Sequence, residues 1–425
     1  MAISREKRLM EFSFLNAFAQ NFVSPLITVY AIFLGATNQI ISMLNAFPIF
    51  ASLFGQIFFV RISKGLKFVI IGTLFWSIFW VFIANVRDPV TLVNLITAQA
   101  FINAISIPAW NAFLLSSIPE KRRGALTAEL NIFSSVGGFI SSILGGYLIQ
   151  TYGFLKVFFY IVAIVGIISI VPLLHIGYRR IKSSKAKKSR NGDRKKLIAI
   201  TKAVIFLNFS VQIAAPMMMV FLVKNLNVSK MDIAILNSVS FIGAILFFRP
   251  MGMLSDLIGR KRVMLASLLL ISFFPLPYFI ASSKSDFNII LFYSFIGNIA
   301  WAGFNVAYFS YLCDVAPEPF ERSTTFFTFF TGLASFFGSL ISGVLVDIVG
   351  YKGLFLLSLL LRLFSLYFFI KLEEGKQEKI ESYLSPFGFP LLENFIYVYS
   401  IAFGKATDDI KLQLKNFLKL LKLIK

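Results

Sequence analysis

The chain has very few of the residues that carry most enzyme chemistry. Its 425 residues include one cysteine, Cys313, and one histidine, His175. A single cysteine excludes an intramolecular disulfide framework and any metal site built from clustered cysteines. A single histidine leaves acid–base catalysis and zinc binding with almost no side chains to use. We therefore predict no enzymatic activity, no metal site and no cofactor.

Charge is also scarce, and hydrophobic residues take its place. Charged residues make up 14% of the chain and hydrophobic residues 57%, and the mean hydropathy is +0.80. A soluble protein of that composition would expose large apolar patches and aggregate. Because a helix needs about 20 apolar residues to cross the bilayer core, the chain is long enough for about a dozen crossings. We predict an all-α integral membrane protein.

Twelve hydrophobic segments, numbered here as spans 1 to 12, follow one another along the chain. Most connections are short, but Tyr178–Lys196 carries ten Lys and Arg residues and no apolar periodicity. This pattern predicts two six-helix bundles joined by a basic linker and followed by a tail, with boundaries at 1–177, 178–197, 198–372 and 373–425. The spans are expected at about 10–34, 38–60, 67–86, 90–117, 125–150, 155–177, 198–223, 230–250, 262–281, 287–315, 324–349 and 354–371.

Basic residues outnumber acidic residues by 41 to 20, which gives a formal net charge of +21. We expect no nucleic-acid binding, because the cations lie in the connections between hydrophobic spans and in the tail. With both termini in the cytoplasm, 32 Lys and Arg residues fall on the cytoplasmic side, 6 on the other side and 3 within spans. Cytoplasmic loops are enriched in Lys and Arg. We therefore predict a multi-pass protein of the cell (plasma) membrane with cytoplasmic N- and C-termini.

The two predicted bundles share residues at a fixed interval. Gly55 and Gly252 are 197 residues apart, and so are Gly146 and Gly343. Each pair occupies corresponding spans, namely spans 2 and 8 or spans 5 and 11. An ordered repeat over both halves predicts a duplicated, pseudo-symmetric architecture.

The connection between spans 8 and 9 holds the most distinctive motif. A glycine permits the positive φ of a tight turn, and an arginine can bridge a carboxylate with two hydrogen bonds. The motif consists of Gly252, Asp256, Gly259, Arg260, Lys261 and Arg262. It resembles the signature G-x-x-x-D-x-x-G-R-K/R-K/R of the major facilitator superfamily, and similarity to that family covers about residues 8–372. The resemblance implies a transporter with twelve helices in two six-helix bundles, which works by alternating access.

The resemblance also implies a role for this loop in closing a cytoplasmic gate. Asp256 would meet the start of span 5, around residues 124–127. Arg260, followed by Lys261, would bridge Asp314 at the end of span 10 or Glu129 in span 5.

The first-half copy of the motif is incomplete. Gly55 is kept, but Phe59 stands in place of the aspartate and Ser63 in place of the second glycine. The corresponding gate contact in the first half is expected to be weaker or built differently.

Polar side chains at mid-depth are the candidates for substrate binding. In the family, spans 1, 4, 7 and 10 line the central cavity, and each of these spans carries amides or a tryptophan here. Hydrogen bonding between helices, which is common in membrane bundles, is the alternative interpretation. We predict a substrate site formed by Gln20, Asn21, Gln99, Asn103, Gln212, Asn298, Trp301 and Asn305. Asn16 and Trp110 lie on the same helix faces of spans 1 and 4.

These candidates favour a neutral or amphipathic small organic solute as the substrate, because acids are absent at mid-depth. A proton-coupled exporter of drugs or hydrophobic compounds is the alternative, with Glu129 and Asp314 as the best candidates for a proton site. A non-transporting membrane sensor is the hypothesis from another functional class. We expect a monomer whose other partner is the lipid bilayer.

The tail and one buried charge complete the sequence predictions. Residues 408–425 alternate lysines with apolar residues at helical spacing, which predicts a basic amphipathic helix on the anionic inner leaflet. Packing of that helix on the protein itself is the alternative, and segment 389–404 is either interfacial or a further span. Arg362 is a mid-span charge, which marks either a functional site or a structural ion pair, with Asp347 as the candidate partner.

Overall fold

The computed structural model describes residues 2–59, 65–117, 120–176, 193–317 and 320–373, and the regular elements in these ranges are helices. Most of the predicted linker, the predicted amphipathic helix and segment 389–404 lie outside the described residues. Within the described ranges, ten helices are long and apolar enough to cross a membrane. The prediction of an all-α integral membrane protein is confirmed.

The observed helices follow the predicted spans closely. The first half contains Ala2–Phe22, Ser24–Leu26, Ile27–Phe33, Asn38–Phe59, Leu66–Ile83, Pro89–Asn103, Ser106–Ser117, Glu120–Tyr152, Lys156–Ile168 and Ile170–Leu174. The second half contains Arg194–Lys224, Lys230–Ile258, Arg260–Ser272, Leu276–Ile280, Lys284–Asp286, Phe287–Val315 and Phe320–Ile370. Gly350, with φ 72° and ψ 171°, interrupts the last of these and separates span 11 from span 12.

Four predicted spans are broken next to a proline. Proline has no N–H, so the carbonyl four residues earlier loses its helical partner. Pro25 lies in the short turn that divides span 1, Pro108 and Pro172 follow the breaks in spans 4 and 6, and Pro275 ends the break in span 9. The sequence prediction treated all four spans as continuous, and the breaks in spans 4 and 9 both lie beside polar side chains.

The ends of the helices form two groups, one at each end of the bundle. We call the group that contains Ile176 and Asp193, between which the predicted linker runs, the linker end. The opposite end holds the turns at Gly35, Gly153 and Gly350, which all have positive φ.

Hydrogen bonds join the two halves at the opposite end. The Asn38 amide in span 2 donates to the Asp347 carboxylate in span 11 at 2.9 Å, and the Tyr351 hydroxyl donates to the Asn38 amide oxygen at 3.1 Å. Between spans 5 and 8, the backbone N–H of Lys230 donates to the Gln150 amide oxygen at 3.0 Å.

The hydrophobic core is shared at the opposite end and divided elsewhere. Its largest cluster combines residues of both halves, including Phe159 and Phe355, which are almost completely buried. A second cluster surrounds Tyr311 in the second half, and a third surrounds Phe113 in the first half. The two halves therefore pack on each other most extensively at the opposite end.

The turn between spans 2 and 3 corrects one sequence prediction. Gly259 precedes span 9 with φ 98°, and Gly65 precedes span 3 with φ 113°. Only glycine adopts such a backbone readily. The first-half equivalent of Gly259 is therefore Gly65. The motif spacing counted from Gly55 ends at Ile62, so the assignment of Ser63 to this position is wrong.

Candidate functional site

A cavity of about 180 Å³ lies inside the first half, between spans 1, 3 and 4. Five of its lining residues are polar and five are apolar or aromatic. They are Phe12, Asn16, Gln20, Val69, Thr73, Trp76, Asn103, Ser106, Ile107 and Trp110.

Helix geometry explains why these side chains meet. Phe12, Asn16 and Gln20 are four residues apart and therefore lie on one face of span 1. In span 4, Asn103 is the last residue of the helix Pro89–Asn103, directly before the break. The break is located where Pro108 cannot donate to the carbonyl of Ala104.

Three amides in this cavity have no protein partner. Within the described part of the chain, Asn16, Gln20 and Asn103 form no hydrogen bond, although each lines the cavity. All three side chains are partly exposed, so their amides are accessible to water or to a ligand. Gln20 and Asn103 are among the residues predicted to bind substrate.

Three other predicted site residues use their amides within the protein. Asn21 donates to Ala17 O at 2.9 Å, and Asn298 donates to Ser294 O at 2.7 Å. Gln99 is 5% exposed and donates to Trp76 O at 2.8 Å, which fixes span 4 against span 3. Of these three contacts, the Gln99 bond joins two helices, as in the alternative interpretation, whereas those of Asn21 and Asn298 go to a carbonyl of the same helix.

The remaining candidates lie in the second half, away from this cavity. A Cβ on Gly338 would lie 3.1 Å from that of Gln212, so Gln212 packs against span 11. Trp301 contacts Phe304, with 5.8 Å between ring centroids, and Asn305 is half-buried in the same helix. Of the eight predicted residues, Gln20 and Asn103 line this cavity.

Aromatic rings pack around the two indoles that line the cavity. Towards the linker end, Trp110 packs between Phe12 and Phe113, with centroids 5.3 and 6.1 Å away. Towards the opposite end, Trp76 packs against Trp80 at 5.8 Å. The sequence prediction missed span 3, although a threonine and a tryptophan three residues apart on one helix face were a visible signal.

The motif between spans 8 and 9 forms an ion pair within the second half. The Arg260 guanidinium pairs with the Asp314 carboxylate and also donates to Ser310 O at 2.6 Å. Both side chains are largely buried, at 18% and 10% exposure. The structure thus connects Arg260 to Asp314 rather than to Glu129. The side chains of Asp256 and of most residues at 124–127 lie outside the described part.

The glycines that open the two motif copies are packed differently. A Cβ on Gly55 would lie 2.6 Å from Phe101 O and 2.7 Å from the Ala104 side chain. A Cβ on Gly252 would lie 3.5 Å from Val306, which is an ordinary contact. Close helix packing therefore requires Gly55 but not Gly252 in this arrangement.

Arg362 stabilises the break in span 9 instead of pairing with Asp347. It is 2% exposed, and its guanidinium donates to Ile271 O at 3.0 Å. That carbonyl is available because Pro275, four residues later, has no N–H. Asp347 accepts from Asn38 across the halves, so the candidate ion pair is wrong.

A family model and a curated relative both connect the chain to the same protein family. The model of the Major Facilitator Superfamily matches residues 12–207 and 201–405. The chain is 26% identical over 214 residues to YuxJ of Bacillus subtilis (strain 168), an uncharacterized MFS-type transporter. That match covers 46% of this chain and 52% of YuxJ, so the chain spans about half the length of this curated relative.

Solved structures of similar fold are also transporters. A mutant of the nucleoside transporter NupG superposes with a TM-score of 0.69 and 16% identity, covering 87% of this chain and 99% of NupG. A POT family transporter in complex with 5-aminolevulinic acid gives 0.71 and 14%, with coverage of 86% and 94%. At these identities the likeness shows the fold. Since the family model matches most of the sequence, the chain belongs to the Major Facilitator Superfamily.

Proposed function

We propose that the chain transports a small uncharged organic solute across the cell membrane by alternating access. The observation that carries this proposal is the first-half cavity, in which three amides without protein partners face two indoles. None of the residues that line the cavity is ionisable. A buried charged ligand would need a counter-charge there, whereas an uncharged polar ligand needs hydrogen bonds.

The packing between the halves supports a rocking motion. At the opposite end, a Cβ on Gly146 would lie 2.1 Å from that of Ala234, and a Cβ on Gly343 would lie 2.7 Å from Asn38 O. These two close crossings occupy equivalent places in the two halves. Rigid bundles that rock about a midplane site would separate them when the opposite end opens.

The Gly252–Arg262 motif would act at the other end. Its ion pair with Asp314 holds the start of span 9 against the end of span 10. In our proposal this fixed turn positions Asp256 to meet the start of span 5 when the linker end closes. The 32 cytoplasmic cations predicted by charge counting place the linker end in the cytoplasm.

Proton coupling is the alternative mechanism. Asp314 is engaged by Arg260, which leaves Glu129 as the stronger of the two predicted proton acceptors. Export that depends on pH and is abolished by Glu129→Gln would favour a proton-coupled exporter. Exchange that is independent of pH would remove this alternative.

Counterflow in proteoliposomes tests the proposed function. We expect the purified protein to exchange at least one uncharged solute from a panel of small polar and aromatic compounds. Asp256→Asn should slow exchange about tenfold without reducing the folded protein recovered, because it removes a gate carboxylate. Wild-type rates in that variant would refute the gate role, and the absence of exchange across the panel would count against transport.

A further inference from the structure

The size of the first-half cavity limits what it can hold. Its volume is about 180 Å³, and an engineered protein cavity of about 150 Å³ is large enough to bind benzene. The cavity therefore accommodates one six-membered ring with a few substituents. A disaccharide or a fused multi-ring compound would extend beyond it.

Span 3 brings no amide to the cavity wall, whereas spans 1 and 4 bring amides together with Phe12, Ile107 and Trp110. Span 3 contributes Val69, Thr73 and the indole of Trp76. The amides without partners come from spans 1 and 4, and each offers both a donor and an acceptor. A planar ring placed against the span 3 wall would direct its polar substituents towards those amides.

The same arrangement disfavours a sugar of similar size. A hexose carries hydroxyl groups around its whole ring, and each would need a partner after burial. The Ser106 hydroxyl lies 3.5 Å from Val69 O and so faces span 3 backbone. Val69 and Ile107 offer no hydrogen bond, so part of a hexose would remain unpaired.

We infer that the first half alone contains a subsite for one uncharged planar ring. Asn16, Gln20 and Asn103 would form hydrogen bonds with the donor and acceptor groups of that ring. The inference rests on the proposed function for its biological meaning, because the ring would be part of the transported solute. Trp76 and Trp110 supply aromatic surface for the ring.

Binding to the full purified chain in detergent tests the subsite without transport. Four probes differ by one property each: benzamide, benzoate with a charge, cyclohexanecarboxamide without planarity, and benzene without hydrogen-bonding groups. Tryptophan fluorescence and isothermal calorimetry report binding, since two of the four tryptophans line the cavity. We expect benzamide to bind at least about tenfold more tightly than the other three probes. Benzoate brings a charge without a counter-charge in the lining, cyclohexanecarboxamide lacks the planar aromatic face, and benzene lacks the hydrogen-bonding groups.

Matched variants locate the binding site. Asn103→Ala, Gln20→Ala and Asn16→Ala should each weaken benzamide binding about tenfold. Asn298→Ala removes an amide of the second half that is already bonded to Ser294 O, and it should leave benzamide affinity unchanged. Three separate variants keep the test valid if one of them fails to fold.

The outcomes separate the subsite from transport. Absence of benzamide binding, equal affinity for benzoate or cyclohexanecarboxamide, or no effect of the folded amide variants would overturn the subsite. Exchange of other solutes would still support transport in that case. Benzamide binding with the expected variant pattern, but no exchange of any solute, would support the subsite and refute the transport proposal.

Discussion

The two halves have the same succession of spans but place their polar groups differently. In spans 4 and 10, Asp88 and Asp286 are 198 residues apart, and so are Trp110 and Tyr308. At the same interval Ser106, beside the cavity, corresponds to Phe304. Phe304 is 2% exposed and packs against Tyr308 at 5.4 Å. The second half is filled where the first half is open.

The turns between helices show the reverse difference. After Gly259 the second half has Arg260, which pairs with Asp314. After the equivalent Gly65 the first half has Leu66, which is 6% exposed in the hydrophobic core. Within the described residues, the two halves therefore differ at equivalent positions, with small polar Ser106 against bulky Phe304 and apolar Leu66 against charged Arg260, so the symmetry of the fold does not extend to the chemistry.

The largest expected effect comes from removing the carboxylate of the ion pair in the second-half turn. Asp314→Ala would leave Arg260, which is 18% exposed, bonded to Ser310 O but without its counter-charge. Breaking a buried ion pair costs about 3–5 kcal/mol, and the cost should be at or below the lower end because this pair is partly exposed. We expect a clear drop in melting temperature and a loss of exchange. Thermal unfolding in detergent and counterflow measure these two effects.

The double variant Arg260→Leu with Asp314→Leu makes the second-half turn resemble the first. Replacing a buried ion pair with apolar residues is often neutral for stability, so the melting temperature should recover while exchange stays low. Recovery of exchange in the double variant would show that the charge has no role in gating. An unchanged melting temperature in Asp314→Ala would contradict the structural role.

The two motif glycines give an intermediate effect and a built-in control. Gly55→Ala places a Cβ 2.6 Å from Phe101 O, so spans 2 and 4 must move apart, and overpacking of this kind costs about 1–3 kcal/mol. Gly252→Ala meets Val306 at 3.5 Å and should leave the melting temperature unchanged. Equal effects of the two substitutions would show that their packing does not differ.

The difference between the two halves also shows which structural features the sequence could predict. Hydrophobic runs determine where helices cross, so most of the described helices could be predicted within a few residues, although the helix of span 1 begins at Ala2 and that of span 8 ends at Ile258, both well beyond the predicted bounds. An amide on a helix face is equally visible whether it meets a neighbouring carbonyl, as Gln99 does, or an open cavity, as Asn103 does. That difference depends on the rotation of neighbouring helices and on the volume of residues such as Ser106 and Phe304, which periodicity does not specify.

The smallest expected effect concerns the paired caps at the opposite end. Asp88 accepts from the backbone N–H of Thr91 at 2.8 Å, and this bond lowers the pKa of its carboxyl below the usual value. Asp286 accepts from two backbone N–H groups, those of Ser282 and Ser283, at 2.8 and 2.9 Å. The second-half cap is therefore bonded more extensively than its first-half counterpart.

A lowered pKa in the folded protein fixes the direction of the pH dependence for Asp88. Its contribution to stability is complete above the unfolded pKa of about 3.9 and is lost as the pH falls through the lower folded value. At pH 7, Asp88→Ala should reduce the melting temperature by on the order of a degree, and Asp286→Ala should reduce it more. At a pH well below 4 the difference between wild type and Asp88→Ala should vanish. If Asp88→Ala lowered the melting temperature at pH 7 more than Asp286→Ala does, the first-half aspartate would be the more stabilising of the two, contrary to this prediction.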